Sequence, residues 1–200
     1  NWLGNYHDWD IKQDWLTFIP GVVKGIAFTI DCFMQKDEKV VIQPPVYPPF
    51  RNVPKLHDRV VVNNPLRFDG KQYQMDFEHL TNVLDDKCKV FILCNPHNPV
   101  GKVWSREDLI KLAEICYDRK ILVISDEIHC DLAYEGHKHI PFASVSEKAA
   151  MNSITFMAPS KTFNIAGIIS SYSVIANPLI KKQFEGYLER AELTAGHIFA

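Results

Sequence analysis

The sequence predicts an α/β fold, a mostly parallel sheet flanked by helices. Three observations carry this expectation. Short β-branched runs alternate with longer amphipathic stretches along the chain. Cys88–Cys94 is almost continuously apolar, as a strand covered on both faces must be. Ser105 and Asp108 have the Ser-x-x-Asp spacing of a capping box, which opens a helix between two such runs.

In chain order, Trp15–Ile19 reads as a strand and Gly21–Met34 as a helix whose start Pro20-Gly21 marks. Lys39–Gln43 is a short strand stopped by Pro44-Pro45, and Arg59–Asn63 is another. Asn63–Asp76 reads as a loop or small hairpin turning on Asp69-Gly70. After Cys88–Cys94, the capped helix puts Leu109, Leu112, Ala113 and Cys116 on one face and runs to Lys120. Ile121–Ser125, Ser153–Met157 and Ser171–Ile175 are the remaining strands. A last helix starts near Pro178, with Leu179, Phe184 and Leu188 as its apolar positions. The chain has no internal repeat and no low-complexity segment.

Composition narrows the function classes. With 46% hydrophobic residues and a net charge of −2 over 200 residues, disorder is excluded. The charges form no basic stripe, which argues against a nucleic-acid partner. No apolar stretch approaches the ~20 residues a bilayer demands, so no membrane role is expected. Cys32, Cys88, Cys94, Cys116 and Cys130 are odd in number and lack close pairing. They read as reduced thiols of a cytoplasmic protein. The chain opens on Asn1 and ends on an apolar run, so a piece of a longer chain is expected.

In open α/β sheets, ligands bind beyond the carboxyl ends of the strands. Three polar motifs fall at such ends. Asp126 follows the strand Ile121–Ser125; it reads either as a helix cap or as a carboxylate holding a proton on a bound heterocycle. Lys161, in Pro159-Ser160-Lys161-Thr162, is either a solvated surface amine or one that forms a Schiff base with a carbonyl cofactor. Asn95–Gly101 is dense in turn formers and is either structural or aims the Asn98 amide at a ligand oxygen. A cis Asn98-Pro99 bond is expected there.

Asn-Pro-His-Asn-Pro-Val-Gly, Ser-Asp-Glu-Ile-His-Cys-Asp and Pro-Ser-Lys-Thr-Phe-Asn-Ile-Ala-Gly occur in this order over most of the chain. Together they resemble the signature of fold-type I pyridoxal 5′-phosphate (PLP) enzymes, and the chain is similar to the large domain of a class I/II aminotransferase. Asp126-Glu127-Ile128-His129 with Pro20–Val23 is most similar to the MalY/PatB branch of cystathionine β-lyases. The resemblance implies a seven-stranded sheet and a single PLP-binding large domain over 1–200, without the N-terminal segment and C-terminal small domain. It implies that Lys161 carries the cofactor covalently, Asp126 pairs with the pyridine nitrogen and Asn98 bonds the phenolic oxygen. It further implies that Tyr47 stacks on the ring, while Gly21, Val22, Val23 and Ser160 hold the phosphate, and it brings His129 to the cofactor. A helix N-terminus suits an anion on physical grounds as well.

Two positions depart from the aminotransferase pattern. His129 stands where a tyrosine is usual, and Ile169 where many relatives carry an arginine for the phosphate. The implied reaction is β-elimination on a sulfur-containing amino acid, giving pyruvate, ammonia and a thiol. An aminotransferase or a PLP-binding regulatory protein on the same scaffold are the alternatives. A homodimer with sites at the subunit interface is also implied. His129, Asp131, His137 and His139 form a rival metal constellation, but their spacing matches no familiar ligand pattern, and no metal is expected.

Overall fold

The computed structural model describes residues 2–193. Helix α1 (Trp2–His7) precedes strand β1 (Leu16–Ile19) and helix α2 (Val22–Phe33). Strand β2 (Lys39–Ile42), helix α3 (Pro49–Leu56) and strand β3 (Val60–Asn63) lead to a hairpin of β4 (Arg67–Phe68) and β5 (Tyr73–Gln74). Then come α4 (Phe77–Val83), β6 (Cys88–Cys94), α5 (Arg106–Asp118), β7 (Leu122–Asp126) and α6 (Glu147–Met151). The chain closes through β8 (Ser153–Met157), the short α7 (Pro159–Thr162), β9 (Ser171–Val174) and α8 (Pro178–Arg190).

Seven strands form one sheet in the order β1-β9-β8-β7-β6-β2-β3. Pairs β2–β3, β2–β6, β6–β7 and β7–β8 are parallel. Strand β9 runs against both β8 and β1, which returns β1 to the common direction. The mostly parallel sheet expected from the sequence is the one that forms, and the hairpin on Asp69-Gly70 is present.

The apolar runs lack alternation because each strand divides its side chains between two cores. Val90 and Ile92 of β6 with Ile124 of β7 face a cluster completed by Ile26, Ile30, Phe184 and Leu188 of α2 and α8. Phe91, Leu93 and Val123 face the opposite cluster, with Leu109, Leu112, Ala113 and Cys116 of α5. Each fully buried Val, Leu, Ile or Phe among them contributes about 2 kcal/mol of apolar transfer. Helix α5 starts where the capping box places it: the Ser105 hydroxyl accepts from the Asp108 amide at 3.1 Å. In α8, Phe184 and Leu188 are buried as expected, but Leu179 is 77% exposed. Leu179 lies in the first turn, whose order comes instead from the Asn177 side chain accepting from its amide at 2.9 Å.

Helix α2 approaches the sheet closely at Gly25. A Cβ there would lie 2.5 Å from Ile19 Cδ1 and 2.8 Å from Phe156 Cε1. The absent side chain thus sets the height of the α2 N-terminus above β1 and β8.

Candidate active site

Parallel strands deliver every candidate residue to one edge of the sheet. The end of β1 leads to Gly21, Val22 and Val23, and the end of β2 to Tyr47. The end of β6 leads to Asn98, β7 ends on Asp126 with His129 just beyond, and β8 leads to Ser160 and Lys161 on α7. Backbone hydrogen bonds tie these ends together. The Asn95 amide donates to the Asp126 carbonyl at 2.9 Å, and the Glu127 amide to that of Phe156 at 2.9 Å. The Tyr47 amide donates to the Asn98 carbonyl at 3.1 Å. The Asn98-Pro99 bond is cis, as expected; Asn95-Pro96 and Pro44-Pro45 are cis too.

Asp126 sits between Cys94 and Phe156 in the sheet register and is 5% exposed. Its carboxylate accepts from the Ile128 amide at 3.3 Å. Burial pushes its pKa up to about 7; the Ile128 bond and the Lys161 ammonium oppose the rise, while the charge of Glu127 adds to it. Burial also lowers the His129 pKa, with Lys161 acting in the same direction. Lys161, Asp126 and His129 therefore share one electrostatic environment. A buried carboxylate with so little compensation is a receptor for a cation or a strong donor.

At the α2 terminus one backbone amide is already engaged. The Gly21 amide is taken by the Ser171 hydroxyl at 2.8 Å, and that hydroxyl donates to the Ile19 carbonyl at 3.0 Å. Gly21 adopts φ 109°, so the chain turns there before the helix begins. The amides of Val22 and Val23 head the helix, where an α-helix supplies no internal partner. Ile169 stands beside this turn: a Cβ on Gly21 would be 3.8 Å from its Cγ2. The position where many relatives have arginine is thus adjacent to the helix terminus.

Tyr47 is half-buried, with its ring edge-on to Phe50 at 6.1 Å. A groove of about 620 Å³ opens beside Asn98 and His129, walled by Phe68, Tyr73, Lys102 and Tyr134 among others. Asp126, Lys161, Tyr47, Ser160 and the α2 terminus are not among its walls.

The four residues of the rival metal constellation do not meet. His129 and His137 line the groove, whereas His139 is buried against Glu127. Asp131 instead groups with His7 and Cys130, whose ligating atoms lie within 4.8 Å of one another. The carboxylate of Asp131 is already engaged by Thr162, His7 and Trp2. Two clusters lie outside the pairings that the sequence suggests. Glu127 is fully buried, accepting from the Ser125 hydroxyl at 2.7 Å and the Phe142 amide at 2.8 Å, and meeting His139 Nε2 at 2.7 Å. The carboxylate next to Asp126 was its only signal. The partnership of Asp131 with His7 had none, since the two are far apart in the chain.

Among the described residues no helix is long and apolar enough to cross a membrane. Cystathionine beta-lyase PatB of Bacillus subtilis is 45% identical over 200 residues, which is 100% of this chain and 52% of that protein. Protein MalY of Escherichia coli is 31% identical over 178 residues, covering 88% of this chain and 45% of that protein. The crystal structure of cystalysin from Treponema denticola, which contains a pyridoxal 5′-phosphate cofactor, superposes with a TM-score of 0.94. It is 36% identical and covers 98% of this chain and 50% of that one. The PLP-bound C-S lyase from Staphylococcus hominis gives a TM-score of 0.88 at 35% identity, over 93% of this chain and 49% of that one. The chain spans about half the length of the curated relatives it matches. The family model for aminotransferase class I and II matches residues 2–186, nearly the whole length, and the chain belongs to that family.

Proposed function

We propose that this chain is the cofactor-binding part, a PLP-binding large domain over 1–200, of a carbon–sulfur β-lyase. The observation that carries the reading is the union of Lys161 and Asp126 at adjacent parallel strand ends, in a chain 45% identical along its length to a cystathionine β-lyase. The residues fit PLP by their own chemistry. Asp126 is a buried carboxylate lacking a full set of donors, Lys161 is an exposed amine within its electrostatic reach, and α2 presents helix-head amides.

PLP, when bound, supplies the electron sink for charge developing at the substrate α-carbon. Lys161 would hold the cofactor covalently, and its free amine would be the group that takes the α-proton. Asp126 keeps a proton on the ring nitrogen by offering a charge that burial has left uncompensated. Asn98 would bond the phenolic oxygen, Tyr47 would cover the ring, and the α2 head at Gly21, Val22 and Val23 with Ser160 would hold the phosphate. With Ile169 in place of arginine, the phosphate would rest more on these amides, the Ser160 hydroxyl and groups from a partner subunit or from a segment outside this chain. His129, whose basicity burial and the charge of Lys161 both lower, is the further residue that the resemblance brings to the cofactor.

The substrate class is an amino acid with a thiolate leaving group at the β-carbon, such as cystathionine. A homodimer and a cytoplasmic setting complete the reading; the five free cysteines, most of them buried, support the latter. The test is pyruvate and thiol release by the complete protein from cystathionine with no 2-oxo acid added. Turnover only when a 2-oxo acid is supplied would make the protein an aminotransferase. That second reading is favoured by the 30% identity to kynurenine–oxoglutarate transaminase 3 of Homo sapiens.

A further inference from the structure

We propose that Asp131 is the positioning residue that fixes the Lys161 turn against the strand end bearing Asp126, with helix α1 as its strap. The inference rests on the cofactor assignment above and deepens it. Helix α7 is a single turn of 4 residues, and none of them is buried. Core packing therefore does not fix Lys161, yet covalent capture of a cofactor demands an amine held in place.

The Asp131 carboxylate supplies what packing does not. Its Oδ2 accepts from Thr162 Oγ1, next to Lys161, at 2.5 Å. Its Oδ1 meets His7 Nε2 at 2.7 Å and accepts from Trp2 Nε1 at 3.1 Å. Trp2 also sets its ring edge-on against Phe163 at 5.4 Å, so α1 touches the lysine turn on its far side. On the near side Asp131 belongs to a short 3-10 turn directly after β7, where the Cys130 amide donates to Glu127 at 3.0 Å and Leu132 to His129 at 2.9 Å. One carboxylate thus joins the segment that carries Lys161 to the segment that carries Asp126.

The charge state suits this role. Burial opposes ionisation of Asp131, but the bonds from Thr162, His7 and Trp2 outweigh it and hold the carboxyl below its usual range. An ionised carboxylate accepts several donors at once, and such bonds are stronger than neutral ones. An asparagine in its place would turn an N–H toward a donor and break part of the set.

The test uses the complete protein and the variants Asp131→Asn, Thr162→Val and Thr162→Ser. Cofactor-free protein is mixed with PLP and quenched with borohydride at intervals, and the fraction of Lys161 carrying cofactor is read by peptide mass. Visible circular dichroism of the bound cofactor and the thermal midpoint are measured alongside. Asp131→Asn and Thr162→Val are expected to slow capture at Lys161 about tenfold or more and to alter the visible dichroism. Thr162→Ser, which keeps the hydroxyl, restores both, and the double variant adds nothing to either single one. A purely structural role would lower the thermal midpoint while leaving capture and dichroism as in the wild type, and that result overturns the inference. Should Asp131→Asn fail to fold, the contrast between Thr162→Val and Thr162→Ser decides. Wild-type protein that carries no cofactor on Lys161 would instead overturn the cofactor assignment and this inference with it.

Discussion

The backbone amide of Tyr47 donates to the carbonyl of Asn98 at 3.1 Å, which joins the loop after β2 to the loop after β6. The loop bearing the ring expected to cover the cofactor is therefore tied to the loop bearing the amide expected to bond its oxygen. Replacing Asn98 by alanine should weaken PLP binding, while Tyr47→Ala should do so without displacing the Asn98 loop, because the link uses only backbone. Equilibrium titration with PLP, read by absorbance, checks both.

Lys161→Ala should abolish covalent cofactor attachment and pyruvate release together. Borohydride trapping and a pyruvate assay on the complete protein measure the two separately. Pyruvate release near the wild-type rate would sink the lysine's assignment.

Asp126→Asn should leave PLP able to bind but slow elimination about a hundredfold or more, because the ring nitrogen loses the charge that keeps its proton. The decisive number is kcat at saturating substrate and cofactor. Unchanged kcat would remove Asp126 from the chemistry.

The same carboxyl gives the cofactor-free protein a pH dependence of known sign. Its ordinary pKa is 3.8, and burial raises it to about 7 in the fold. Between these values the folded state holds the proton more tightly than the unfolded chain, so stability falls as pH rises through that window. Asp126→Asn should remove the fall, gaining a few kcal/mol over wild type at about pH 8 and little at about pH 4. Urea unfolding of both proteins across the range checks this, and added PLP should restore the wild type at the higher pH.

Gly25→Ala should cost about 1–3 kcal/mol, since the new methyl meets Ile19 and the buried Phe156 ring below contact distance. If α2 lifts to relieve the clash, the Val22 and Val23 amides shift and PLP affinity falls with stability. A urea midpoint and a PLP titration on the same variant separate strain alone from displacement of the site.

Much of this protein was legible in one dimension. The apolar run of β6, the capping box of Ser105 and the motifs around Asn98, Asp126 and Lys161 are local, and each is built from neighbours in the chain. Hydrophobic runs without alternation announced a sheet covered on both faces, because only a two-sided core tolerates them. The helices α1, α3, α4, α6 and α7 are not among the elements the sequence predicts. They are short, and α3 carries Pro54 inside it, so neither periodicity nor propensity singled it out.

Residue order alone determined which strands form the main sheet, where their polar ends fall and which side chains are candidates for chemistry. Only the folded chain decided that β9 runs against its neighbours, that the Gly21 amide is spent on Ser171, and that His7 and Trp2 reach Asp131. Those are pairings between distant positions, set by sheet register and by close packing rather than by any local pattern. Burial of Asp126 belongs with them: the sequence supplied the carboxyl, and the surrounding layers took the water away from it.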